Sequence, residues 1–598
     1  MSTTLRVADR MRRGGMVMAL GIAGVFVAIG LYAIAINGWT ELYADQWRSY
    51  TFYLERPFPA SVMVQENGHR PVLPGLIRVA ELRWLHGNQW LQLIAGALFA
   101  FITWAVLAVL AWLDREADPL TRAMAIALAG FAIFWLGNSR MLLHGNESVH
   151  VYVLTACLAG AIGLCLSRPR RVAVAGACVL AVLATFTFGS GLAVFMAAAL
   201  VLAVQRRYRA ALGVALALGL TLALYLLLPG AAGVRNSLSL DPLQTLLMTA
   251  TWLSSMPVNL FIVLLDESAG NAMPGWVSQP GHKLAYLYTQ GFGDIWTRHG
   301  PAAVLGLLAV VYVLWATWST WRSRVHTRLR LAGLGLTWFA MAVGGIVTLS
   351  RLSLFTTNPG QVFANRYLPW SCLFWLGVGW IALGSPRWHA ELWRRIAVTV
   401  CIVLVLGFGL LTTGGNLIWG ALVQNSIRLD AVGVAVGVVD AAHSRKLGET
   451  MWDELREGLP AVREAKVSMF AWPESQAWGK PFTATLVTAV DEPAPVVEVE
   501  SIGNDLEGGE ALKVRATLAQ ATDRALPDRL LLVDAHGMAR GILMQTRTQA
   551  PWNYVGYSRH SPAEATSFSL IELSEQGSHC WSGCSLLRGA TPSTRAAH

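Results

Sequence analysis

Apolar residues come in long unbroken blocks along the first two thirds of the chain and in short alternating runs along the last. The blocks fall at about Met16–Ile36, Leu91–Leu113, Leu120–Gly137, Val151–Leu166, Val172–Phe188, Leu192–Val204, Ala210–Leu228, Ala302–Trp321, Leu331–Leu349, Leu368–Leu383 and Ile396–Thr412. A helix needs ~20 apolar residues to cross a bilayer at 1.5 Å per residue, and about eleven blocks approach that length. They predict a polytopic α-helical membrane protein. The stretch Leu243–Leu265 is only moderately apolar and contains Pro257 and Asn259, so it is read as a re-entrant or interfacial helix.

The pattern changes after the last block. Residues 416–470 read as a helical connector of amphipathic helices. From 471 to 598 come short runs rich in β-branched residues, among them FTATLVTAV, PVVEVESI, ALKVRATLA, DRLLLVDA, RGILMQT, WNYVGYS and TSFSLIEL, with Gly, Pro and Asp between them. Their spacing predicts a small antiparallel sandwich, giving an α+β tail on a membrane domain of residues 1–415.

Composition agrees. Of 598 residues 54% are hydrophobic and 14% charged, and mean hydropathy is +0.47. Soluble domains carry about a quarter charged residues. The net charge of +10 lies in short clusters between apolar blocks, not on a basic face with interleaved aromatics, so no nucleic-acid partner is expected. RPRR, QRRYR, RSRVHTRLR and WRR all fall in segments on one side of the alternation, which the positive-inside rule makes cytoplasmic. The N-terminus is then cytoplasmic, and the first block is a retained anchor because it is long and lacks a small-residue cleavage site. The loops 38–90, 138–150, 229–300 and 350–367 and the tail face the other side. The chain reads as a multi-pass membrane protein with an extracytoplasmic tail.

The chemistry collects on that outer side. Asp45 in YADQW stands just past the first span, where a carboxylate either caps the next helix or acts as a general base on a hydroxyl. ENGHRP packs Glu66, His69 and Arg70 around Gly68, and Arg70 suits bidentate contact with phosphate. HGNESVH brings His144, Glu147 and His150 before a span, with ligand-like chemistry for a divalent metal. Lys283 in PGHKLAY and Arg366 in NRYLPW are further cations for a phosphate; snorkelling at a helix end accounts equally well for Arg366. In FTFGSGL, Gly189 and Gly191 serve backbone bending or close packing. Cys580 and Cys584 in HCWSGC form a disulfide if exported or half a metal site if not; no second Cys/His pair completes a zinc set, which favours the disulfide.

The sequence contains no GxxxxGK[ST], GxGxxG, HExxH or GxSxG, and the cytoplasmic segments are too short for a nucleotide site. A transporter places ionisable residues mid-span, where this chain has almost none.

YADQW, ENGHRPVLPGL, HGNE, FTFGSGL and NRYLPW together resemble the GT-C superfamily of integral-membrane glycosyltransferases, in a bacterial branch, over roughly residues 16 to 415. The resemblance implies a polyprenyl-phosphate-linked sugar as donor, inverting transfer, Asp45 as general base, and Arg70, Lys283 and Arg366 holding the departing phosphate, with Glu66, His69, His144 and Glu147 in support. The acceptor would be an envelope glycan, lipid or protein, and the membrane the inner membrane of a bacterium. Many members carry a DD or DE pair where this chain has a lone Asp45, so the resemblance leaves open whether a divalent metal takes part. The tail is similar to the β-rich accessory domains of some members. The rival readings are an envelope polysaccharide polymerase or ligase, and a membrane-anchored envelope protein without catalysis.

Overall fold

The computed structural model describes residues 3–66, 68–167, 171–228, 241–261, 275–323, 326–385, 391–444, 452–482, 487–489, 495–518, 526–546, 553–559, 568–574 and 577–582. These residues fall into two compact units. The first comprises Met1–Gly38, Val62–Ile77 and Leu91–Gly420; the second comprises Trp39–Ser61, Arg78–Trp90 and Ala421–His598. The boundary expected at 415 thus lies within a continuous helix, and most of the first outer loop groups with the tail.

The helices in chain order are α1 (Thr3–Asn37), α2 (Gln46–Glu55), α3 (Val72–Leu85), α4 (Trp90–Trp112), α5 (Pro119–Phe134), α6 (Ser139–Leu143), α7 (Gly145–Leu166), α8 (Arg171–Thr185), α9 (Leu192–Val204) and α10 (Tyr208–Leu227). There follow α11 (Pro242–Leu253), α12 (Ser255–Phe261), α13 (Gly275–Ser323), α14 (Arg328–Thr357), α15 (Leu368–Leu383), α16 (Leu392–Ala435), α17 (Ala441–Ser444), α18 (Trp452–Glu464) and α19 (Pro473–Ala477). Among the described residues eight helices are long and apolar enough to cross a membrane, and α8 and α9 are shorter apolar helices. Every apolar block named from sequence lies largely in a helix.

Each helix of the first unit has a local cause and a packing role. Asp118 accepts hydrogen bonds from Leu120 N (3.0 Å) and Thr121 N (3.1 Å) ahead of Pro119, which starts α5. Every residue of α5 from Ala123 to Phe134 is then buried, so it is an inner helix. The outward faces of α10 and α13 instead expose Leu216, Leu220, Leu227, Leu308 and Val311, as lipid-facing helices do. Small residues let the inner helices approach closely. A Cβ on Gly333 of α14 would stand 2.6 Å from Gly377 O of α15, and one on Gly377 would stand 2.7 Å from Gly333 O.

The basic segments share one end of this bundle. Leu329 N donates to Asp114 Oδ2 (2.8 Å), Arg206 to Trp321 O (3.1 Å), Arg207 to Cys165 O (3.0 Å) and Thr327 Oγ1 to Gly384 O (3.1 Å). Within the described part of Leu243–Leu265 the helix breaks at Ser254, between α11 and α12, and α11 at 12 residues is too short to span. The expected outer loop 229–300 differs. Where described it is helical, and α13 runs for 49 residues from Gly275, so Lys283 sits on a helix instead of a loop.

The second unit holds the sheet. Its strands are β1 (Val487–Ala489), β2 (Val496–Gly503), β3 (Glu510–Thr517), β4 (Arg529–Asp534), β5 (Ala539–Gln545), β6 (Tyr554–Ser558), β7 (Phe568–Ser574) and β8 (Gly577–Ser582). The strands expected as a sandwich join edge to edge in one eight-stranded sheet, β1-β8-β7-β4-β5-β6-β3-β2, antiparallel except for β1–β8. Alternation accounts for its core: Leu512, Val514 and Ala516 of β3 point to the same side as Leu530, Leu532, Leu543, Tyr554 and Leu570. The expected connector is α17, α18 and the last turns of α16. The first-loop helix α2 packs on α18, where Gly458 admits the Trp47 carbonyl at a distance no Cβ would allow.

Candidate functional site

At the end of the first unit away from its basic segments, the turn 66–70 is pinned in place. Glu66 and His69 pair as an isolated antiparallel bridge around Gly68, whose φ of +79° suits glycine. Tyr225 Oη donates to Gly68 O (3.2 Å). Arg70 Nε donates to Tyr225 O (3.1 Å), and its terminal nitrogen donates to Leu228 O, so Arg70 caps carbonyls at the C-terminal end of α10. Those contacts give Arg70 a structural role at the end of α10.

His69 lies on the Phe188 ring at 4.1 Å between centroids, and His150 approaches the same ring at 5.5 Å. Gly189 permits this, because a Cβ there would stand 2.6 Å from His69 Nδ1. Burial, and after it the positive charge of Arg351, push the His69 imidazole down to about 4. His69 is therefore neutral at pH 7.

The sequence motifs do not single out Arg351. It sits at a kink inside α14, with φ −130° and ψ 18°. Its guanidinium donates to Tyr367 Oη (2.8 Å) and lies 5.9 Å from the centre of that ring. Arg366 lies 5.1 Å from the same ring and donates to Gln361 Oε1 (3.0 Å), while its buried Nε has no hydrogen-bond partner among the described residues. Neither guanidinium faces a carboxylate among the described residues. Two like charges at one phenol repel, and a cation–π gain of about 0.5–2 kcal/mol each offsets that repulsion at least in part. A bound anion would compensate it, and the fork geometry of arginine suits phosphate.

The neighbouring helix α6 packs on the turn Asn365–Tyr367. It carries Arg140, whose guanidinium binds Glu147 bidentately at 2.9–3.2 Å, with His144 Nδ1 3.8 Å from the same carboxylate. Glu147 is thus engaged by an arginine, and His150 turns to Phe188. Among the described residues no group of three or more His, Cys, Asp or Glu side chains could hold a metal ion. His144, Glu147 and His150 of HGNESVH form no such group among the described residues, and Arg140 supplies the counter-charge to Glu147.

Asp45 belongs to the second unit, at the N-cap of α2, where its side chain makes no capping hydrogen bond. Lys283 is exposed on α13. Cys580 on β8 is disulfide-bonded, and Cys584 lies outside the described residues. The structure therefore brings Glu66, His69, Arg70, His144, Glu147 and Arg366 into one layer of one unit. Arg351, Arg140, Tyr367 and Phe188 complete it. The signal for Arg351 in the sequence is its charge at the start of the loop expected at 350–367, in TLSRLSLF.

No protein-family model matches the sequence, and no curated protein matches it. Among solved structures the chain is similar to ArnT from Cupriavidus metallidurans bound to undecaprenyl phosphate, at 15% identity over 84% of this chain and 98% of that one, with a TM-score of 0.33. A likeness that loose transfers neither a residue's role nor a ligand.

Proposed function

We propose that this protein is a membrane glycosyltransferase of GT-C type. It moves a sugar from a polyprenyl-phosphate carrier to an acceptor in the envelope, on the face opposite its basic loops. The observation that carries the reading is the pair Arg351 and Arg366 at Tyr367, two guanidinium groups without a carboxylate among the described residues, at one end of a bundle of apolar helices. A donor whose tail stays in lipid would present its phosphate there.

The step is a displacement with inversion. The acceptor oxygen bonds to the anomeric carbon as the bond from that carbon to the phosphate oxygen breaks, and the electron pair leaves with the polyprenyl phosphate. Arg351 and Arg366 stabilise the charge that grows on the leaving phosphate. Asp45 takes the proton from the acceptor hydroxyl. Arg70 fixes the turn that carries His69, and neutral His69 contributes hydrogen bonding without adding a third positive charge.

The test is sugar transfer in proteoliposomes loaded with a set of radiolabelled polyprenyl-phosphate sugars. Asp45→Asn should retain polyprenyl-phosphate binding and lose transfer, and Arg366→Gln should weaken binding by about tenfold or more. Normal transfer by a folded Asp45→Asn protein removes Asp45 from the mechanism. No transfer and no polyprenyl-phosphate binding by the unaltered protein overturns the function itself.

A further inference from the structure

The sheet of the second unit ends on an exposed strand. In the order β1-β8-β7-β4-β5-β6-β3-β2, strand β2 is an edge, and among the described residues it pairs with β3 alone. Alternate residues of an edge strand turn their N–H and C=O groups outward, where another strand can pair with them. β2 is eight residues long and exposed on both faces, Val496 by 63%, Val497 by 40% and Val499 by 43%. Burial begins on the next strand, where Leu512, Val514 and Ala516 enter the core. Edges are commonly blunted by lysine, proline or a bulge. VVEVESIG contains neither lysine nor proline, and its register with β3 is unbroken.

The charge on this edge selects what can pair with it. Glu498 and Glu500 point to one face of β2, and Val497 and Val499 to the other. Opposite the two glutamates on β3 stand Arg515 and Lys513. Lys513 Nζ is paired with Asp440 at 2.8 Å, and both glutamates reach Arg515, at 3.7 Å and 2.6 Å. Two carboxylates, each about half exposed, therefore share one guanidinium. The bias continues along the sequence. From Asp491 to Glu510 there are seven acidic residues and no lysine, arginine or histidine, in a chain of net charge +10. A strand laid beside β2 sets one residue directly opposite each glutamate, at about 4.5–5.5 Å between Cβ atoms. Lysine or arginine there continues the alternation of charge that β3 begins, while apolar residues between them cover Val497 and Val499. A second copy of this chain fits poorly. A two-fold axis at Glu498, Val499 or Glu500 sets glutamate opposite glutamate, and like charges so placed destabilise.

We propose that β2 is a docking edge for another protein, which adds an extended segment of alternating basic and apolar residues as a further strand. Backbone pairing supplies the hold, and Glu498 and Glu500 supply the choice of partner. The proposal does not depend on the glycosyl-transfer reading and stands or falls apart from it.

Fluorescence anisotropy on the full chain in nanodiscs of neutral lipid tests this, with empty nanodiscs as the blank. The probe is a labelled octapeptide that alternates lysine with valine. It should bind saturably, and an octapeptide alternating glutamate with valine should not. The lysine peptide N-methylated at every residue keeps its charge but cannot pair as a strand, and should bind at least tenfold more weakly. The double variant Glu498→Gln/Glu500→Gln should weaken binding of the unmethylated peptide about fivefold. Hydrogen exchange across residues 496–503 should slow when the peptide binds. Absence of saturable binding, equal binding of the methylated peptide, or unchanged exchange across β2 overturns the proposal. A full chain that dimerises with the β2 amides already protected assigns the edge to a second copy, and overturns it too.

Discussion

Arg351 and Arg366 reach one phenol ring from either side of a loop, and each donates a hydrogen bond to a neutral side chain. If both hold one phosphate, losing either costs about 1.5–3 kcal/mol, a tenfold or greater drop in affinity. The double variant Arg351→Gln/Arg366→Gln should weaken polyprenyl-phosphate binding by less than the product of the single effects, because both act on the same group. Titrations with the four proteins measure this directly. Independent, multiplying effects would place the two arginines in separate sites. His69 gives a prediction in pH. Its folded value is depressed to about 4 from the ordinary 6.5. Between those values the unfolded chain binds the extra proton, so stability is present above the window and is lost as pH falls through it. Thermal unfolding followed from pH 7 to pH 4 should show that loss, and His69→Gln should flatten it. At this scale the sequence was half legible. Glu66, His69, Arg366 and Glu147 announced themselves by charge in loops, whereas Arg351, at the start of the loop expected at 350–367, belonged to no motif, and the kink in α14 turns it to Tyr367. Arg70 was legible as a cation but not as a helix cap, since the α10 carbonyls it serves lie far off in sequence.

Helices and strands were the most legible level. Long apolar blocks have few alternatives to a helix, because in lipid the backbone must satisfy itself. Expectation and structure part where that constraint lapses. The region expected as an outer loop before Ala302 continues as helix from Gly275, and the tail's first segment continues α16 to Ala435. Strand β8, GSHCWS, carries little β signal because it is short and polar, and its pairing with β7 and β1 supplies what its sequence lacks. Helix packing makes its own prediction. Gly333→Val or Gly377→Val forces α14 and α15 apart, and overpacking of this kind costs about 1–3 kcal/mol. The unfolding temperature of the detergent-solubilised protein should fall, with the exposed Leu220→Val on α10 as a control that leaves it unchanged.

For the molecule as a whole, the grouping of the chain was the least legible feature. Nothing in WTELYADQWRSYTFYLERPF indicates that its partners begin several hundred residues later. Yet Trp47, Tyr50 and Arg78 are buried within the second unit, and the hydrogen bonds Gln46–Gln89 (2.7 Å), Gln89–Tyr50 (2.7 Å) and Arg78–Tyr53 (2.9 Å) lie inside it too. A protein cut after Gly420 should therefore keep its helical bundle but lose protection across residues 39–61. Limited proteolysis should cleave the shortened chain there and leave the full chain intact. Equal resistance in both would mean that the first loop folds without the tail.

Gly458 lies against the Trp47 carbonyl so closely that no side chain fits between them. Such a fit makes the tail unsuitable as an interchangeable part. A chimera that borrows residues 421–598 from a relative will work only if it borrows 39–61 and 78–90 as well, three pieces from opposite ends of the sequence. A side chain at position 458 would therefore require the turn at Trp47 to move with it, so the two segments can be exchanged only as a pair.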